Sequence, residues 1–75
     1  MQEKFNESIS KCDILIGLEP KEASFYSLRG RNYFDLKKYG SAVTDLEYSI
    51  SLKSDDRDLF FLLTTRVRFK IAIMH

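Results

Sequence analysis

Apolar residues recur along this chain at helical spacing. Phe5, Ile9, Cys12 and Ile16 fall at i, i+4, i+7 and i+11, one face of an amphipathic helix. That face stops near Gly17, and Pro20 marks the stop because proline cannot continue a helix. Tyr26, Gly30 and Tyr33 make a second stripe, and Tyr39, Val43, Leu46 and Ile50 a third. Asp55 and Asp56 open a fourth element, where carboxylates favour the unsatisfied N–H groups of a helix start. The pattern predicts helices over roughly residues 2–18, 22–36, 39–53 and 56–73, with connections short enough to demand antiparallel neighbours. The expected fold class is all-α.

The last segment carries two readings. Phe60, Leu63, Val67, Ile71 and Met74 form one helical stripe, and Leu62, Phe69 and Ile73 form another. Yet residues 66–73, "RVRFKIAI", also alternate as a strand does, and Val, Ile and Phe favour strands. As a helix, the segment has two apolar faces. One packs back on the preceding helices; Leu62, Phe69 and Ile73 are expected to stay open and to support self-association into a homo-oligomer.

Sliding the sequence against itself by 34 residues sets Phe5 on Tyr39, Ser8 on Ala42, Ile9 on Val43 and Cys12 on Leu46. Further on, Ile16 falls on Ile50, Leu18 on Leu52, Tyr26 on Phe60, Leu28 on Leu62 and Tyr33 on Val67. A sustained match at this period is the signature of a stacked helical repeat, and it supports helix at least to Val67. Gly30 costs about 1 kcal/mol of helix propensity against alanine. That cost makes sense if the missing side chain admits a neighbouring helix, with Ala42 as the opposing small residue.

These positions resemble the tetratricopeptide repeat (TPR) family, whose unit is helix A, a turn and helix B. Tyr26 sits at the family's first aromatic position, Gly30 at its helix-A glycine and Tyr33 at its tyrosine. Tyr39 opens helix B, Ala42 is at its alanine, Leu46 at its large apolar position, and Pro20 is at the closing proline of a preceding repeat. The resemblance implies one domain: helix B of a partial repeat over 1–20, a complete repeat over 21–54, and helix A of a further repeat over 55–75. It implies hairpins stacked as a right-handed superhelix, either whole in itself or a fragment of a longer array. Departures are visible too. Arg29 replaces the usual leucine, Ser49 an alanine, Ser54 a proline and Thr64 the helix-A glycine of the following repeat. Lys37 and Lys38 replace the glycine and aspartate of the inner turn, which is then expected to lack its left-handed residue and its cap.

Composition narrows the chemistry. With 75 residues the chain is one small domain that buries little surface. Its single cysteine and single histidine allow no intrachain disulfide and supply too few ligands for zinc. No cofactor or metal is expected. Cys12 sits on a core stripe, where thiols are inert. The three glycines are too scattered for a phosphate loop, and no nucleophile or base has a partner, so the chain does not read as an enzyme. The opening residues form no secretory signal, the longest apolar run, "LFFLL", is too short to span a bilayer, and a cytoplasmic setting is expected. A net charge of +1 gives no whole-molecule signal for nucleic acid. Arg66, Arg68 and Lys70 with Phe69 keep an RNA-binding helical repeat as a minor reading.

What remains is surface. Ser24, Ser27, Arg31 and Asp35 share one face of the second helix, flanked by Phe34; Asp58, Phe61, Thr65 and Arg68 share the matching face of the fourth. In the family these helix-A faces line a concave groove that holds peptides. The resemblance therefore implies a partner-binding groove of Ser27, Arg31, Phe34, Asp35, Phe61, Thr65 and Arg68, and a protein or peptide partner, acidic where arginine is the receptor. One competing reading makes Arg31–Asp35 an ordinary surface pair and Phe61 part of the core. Ser27 and Phe61 occupy the positions where chaperone-clamping members carry a carboxylate-binding lysine, and Arg31 and Thr65 those of an asparagine, so that clamp is absent.

Overall fold

The computed structural model describes residues 2–74; Met1 and His75 lie outside the described residues. Four helices follow one another: α1 (Gln2–Leu18), α2 (Ala23–Asp35), α3 (Tyr39–Leu52) and α4 (Asp56–Met74), and no strand occurs among the described residues. Each packs chiefly on its neighbours in sequence, α1 on α2, α2 on α3 and α3 on α4. The Cα extents, 38 × 29 × 15 Å, are those of a thin slab. Its least dimension is little more than one helix diameter, about 10–12 Å. A slab cannot enclose a large interior, and the buried apolar residues are few: Ile9, Cys12, Tyr26, Ala42, Leu46 and Leu62.

The junctions follow from local chemistry. At the end of α1, Glu19 still donates its N–H to the Leu15 carbonyl, and the Tyr26 hydroxyl donates to the Pro20 carbonyl at 2.7 Å, pinning the connection to α2. The α2–α3 turn differs from expectation. Lys37 takes a left-handed conformation, φ 62°; its N–H donates to the Phe34 carbonyl and that of Lys38 to the Tyr33 carbonyl. This is a Schellman cap built without glycine. The lysine backbone accepts about 1–2 kcal/mol of steric cost because both end carbonyls are then satisfied. At the start of α4, Asp55 caps the helix: its Oδ1 accepts the Arg57 N–H at 2.8 Å.

Gly30 is where α2 and α3 close on one another. A Cβ there would lie 3.1 Å from Leu46 Cγ, 3.2 Å from Asp45 Cβ and 3.3 Å from the Ala42 carbonyl. Beside it, Arg29 grips the nearly buried Asp45 with two bonds, from Nε and from the terminal NH2, both 2.8 Å, and reaches Asp13 on α1 at 2.8 Å. Its guanidinium also sits 5.6 Å from the Tyr26 ring centroid. Donation to Asp45 raises the affinity of Arg29 for its proton further. Asn32 Nδ2 donates to Ser8 Oγ at 2.7 Å and adds a second tie between α1 and α2.

On α4 the helix reading holds against the strand-like one, and one expectation is corrected. Residues 66–73 continue the helix; Thr65 is fully buried, and Phe69 lies about 3.5 Å from where a Gly40 Cβ would stand. Only helical spacing brings Leu62, Thr65 and Phe69 onto one line against α3, so packing overrides the strand-like alternation. Leu62 is accordingly core, 5% exposed, and Phe69 is partly covered. Of the face expected to be open, Ile73 alone stays well exposed; the outward stripe is Phe60, Leu63, Val67, Ile71 and Met74. The face expected to be open is therefore closed at Leu62 alone, with Phe69 38% and Ile73 66% exposed.

Candidate binding face

Asp58 organises the side of the slab where α2 and α4 meet. Its carboxylate is nearly buried, yet Oδ1 accepts the Ser27 hydroxyl at 2.6 Å and the Arg31 NH2 at 3.2 Å. The Ser49 hydroxyl, from α3, lies 3.2 Å from Oδ2 and 3.0 Å from the Ala23 carbonyl, one proton serving two acceptors. Ser27 and Arg31 are one turn apart on α2, and Asp58 stands in the first turn of α4, where a carboxylate also complements the helix start. Arg31 thus pairs with Asp58 rather than with Asp35.

The Arg31 guanidinium stands 5.5 Å from the centroid of the Phe61 ring. Phe61 meets Phe34 edge-on at 4.9 Å, and Phe34 meets Tyr39 at 5.5 Å. A cation and three rings therefore run in series across α2, α4 and the start of α3. Arg31 Nε is buried and has no hydrogen-bond partner. Next to this row, a cleft of about 290 Å³ opens between the starts of α2 and α4. Ser24, Ser27, Arg31 and Asp58 line it together with Lys53, Asp55 and Arg57. The Arg57 backbone N–H holds the Asp55 carboxyl below its ordinary range.

Ser27, Arg31, Phe34 and Phe61, expected to share a groove, do come together. Thr65 does not present itself to a ligand: it is fully buried and its hydroxyl donates to the Phe61 carbonyl at 2.7 Å, a bond within its own helix. Asp35 and Arg68 are exposed, and neither makes an ion pair among the described residues. Lys53, Asp55 and Arg57 were not foreseen as cleft residues. They flank the α3–α4 connection, and the stripe pattern used to place groove residues is silent on connections. Of the basic cluster, Arg66 is paired with Glu47, which leaves Arg68 and Lys70.

Cys12 is buried, and burial pushes its thiol pKa up, away from the reactive thiolate. Among the described residues no group of three or more His, Cys, Asp or Glu is placed to hold a metal, and no helix is long and apolar enough to cross a membrane.

The chain is 35% identical over 54 residues to Hsc70-interacting protein 1 of Drosophila melanogaster, and equally so to Hsc70-interacting protein 2 of the same organism. The match covers 72% of this chain but only 14% of either relative. No family model and no solved structure matches the chain.

Proposed function

We propose that the chain is a TPR-like protein-interaction module, without catalysis, that holds an extended or helical segment of a partner across the α2–α4 face. The observation that carries this reading is the assembled row of Arg31, Phe61 and Phe34 beside a cleft, with Arg68 exposed two turns further along α4. An aromatic edge next to an arginine suits a segment with an apolar anchor and a carboxylate. The relatives are named for interaction with Hsc70, which makes an Hsc70-type chaperone the first partner to try. Ser27, Arg31, Phe61 and Thr65 stand where a carboxylate clamp would need lysines and asparagines, so contact through a chaperone's terminal carboxylate is not part of the proposal.

Isothermal titration of the 75-residue chain with Hsc70 tests it. Phe61→Ser and Arg68→Glu should each weaken binding while leaving helicity in place, the first by about the 2 kcal/mol or more of a hot-spot aromatic. Arg31→Glu is the wrong probe, since it would set a second carboxylate against Asp58. Binding untouched by both substitutions would remove this face from consideration.

A further inference from the structure

The 34-residue register reveals that the chain carries both halves of a helix interface that it uses only once. α2 packs on α3 through Tyr26, Arg29 and Gly30, against Tyr48, Asp45 and Ala42. Phe60, Leu63 and Thr64 of α4 are the equivalents of the first set, shifted by one repeat. They lie on the outward face, where Phe60 is 73% exposed. Ile14, Lys11 and Ser8 of α1 are the equivalents of the second set; Ile14 and the neighbouring Leu18 are 65% and 74% exposed.

The open faces are also more apolar than the interface they replicate. The Tyr26–Tyr48 pair becomes Phe60 against Ile14. The Arg29–Asp45 pair becomes Leu63 against the stem of Lys11, which can lie along apolar surface. Antiparallel docking, as in α2·α3, also brings Arg68 of α4 to the first two turns of α1, where Glu3 and Glu7 flank Lys4 and Glu7 is paired with Lys11. Thr64 in place of Gly30 holds these helices somewhat further apart than α2 and α3.

We propose that α4 of one copy docks on α1 of a second copy, repeating the α2·α3 contact between chains. The contact is heterologous: each copy keeps one free α1 face and one free α4 face, so growth continues head-to-tail rather than closing at a dimer. A second copy is the occupant because the complementary face, in the same register and with its apolar residues exposed, is present in this same chain.

Sedimentation of the 75-residue chain across the micromolar range should show a weight-average mass that rises with concentration past that of a dimer. Two variants separate the ends. Leu63→Glu with Val67→Glu blocks α4; Ile14→Glu with Leu18→Glu blocks α1. All four positions are exposed, so circular dichroism should show unchanged helicity. Each variant alone should be monomeric, and an equal mixture should give a one-to-one heterodimer and nothing larger. As a readout independent of charge insertion, chains carrying Phe60→Cys should cross-link to chains carrying Ile14→Cys and not to themselves. An unmodified chain that stays monomeric, an α1-blocked variant that dimerises alone through α4, or a mixture that fails to pair would each overturn the proposal.

Discussion

The interface between α2 and α3 and the interface between α3 and α4 occupy adjacent sides of one helix, but they are held differently. Between α2 and α3 the backbones approach at Gly30, and Arg29 grips Asp45 across the gap. Between α3 and α4 the contact is side chain on helix: Leu62 and Thr65 go under, Phe69 lies along Gly40, and the Arg66–Glu47 pair is half exposed. Past Phe69, α4 has no buried residue. Equivalent positions in the repeat therefore do not confer equivalent strength. The difference lies in which residues are small enough to admit a backbone and which buried charges are matched.

Breaking the charge match should have the largest effect. The Arg29 side chain is 21% exposed and that of Asp45 6%. Removing one partner of a buried pair costs about 3–5 kcal/mol, and the solvent left to Arg29 puts Arg29→Ala near the lower end. Replacing both Arg29 and Asp45 by leucine should recover most of that loss in a urea melt, since no orphaned charge remains. A double variant as unstable as the single would mean that Arg29 matters through its contact with Tyr26 and Asp13 instead.

The next contrast is steric. Gly30→Leu should overpack against Leu46 and the Ala42 backbone and cost about 1–3 kcal/mol. Thr64→Leu, at the equivalent position one repeat later, faces outward and should shift stability by no more than about 0.5 kcal/mol. Equal effects in thermal melts would deny that the two faces differ.

Lys37→Gly acts on the turn at the end of α2. Relieving the left-handed lysine, set against the greater freedom of glycine in the unfolded chain, should stabilise by about 0.5–1 kcal/mol. A destabilised variant would show that the lysine side chain contributes to the turn beyond its backbone conformation.

The smallest effect concerns the start of α4. Folding holds the Asp55 carboxyl below its ordinary range through the Arg57 N–H. Its contribution is therefore complete above the ordinary aspartate pKa and is lost as pH falls through the lower folded value. Asp55→Asn keeps a capping oxygen without a titrating proton. The acid limb of stability against pH should become shallower in that variant, with little change at neutral pH. An unchanged acid limb would assign the titration to other carboxylates.

Helix number and most boundaries were legible because they depend on local periodicity, on Pro20 and on the acids at 55 and 56. The Gly30–Ala42 approach was legible as well, since a glycine is costly inside a helix unless a neighbouring backbone needs the space it leaves. The candidate face was half legible. Spacing brought out Ser27, Arg31, Phe34 and Phe61, whereas Thr65 was misplaced because a face-sharing argument cannot tell a rim position from one underneath. Arg31 was considered with Asp35, its neighbour in sequence; the fold gave it Asp58 from another helix.

The sequence by itself determined that the chain forms four antiparallel helices in a repeating register, because 3.6-residue periodicity and chain-breaking residues act within a few positions of themselves. Only the tertiary structure decided which stripe of α4 is buried, that Lys37 adopts the left-handed cap, and that Arg29 and Asp58 are the polar centres of the two helix junctions. Those outcomes turn on which helix lies across each residue. Two apolar stripes of similar strength on one helix are equivalent until a neighbour arrives to cover one of them.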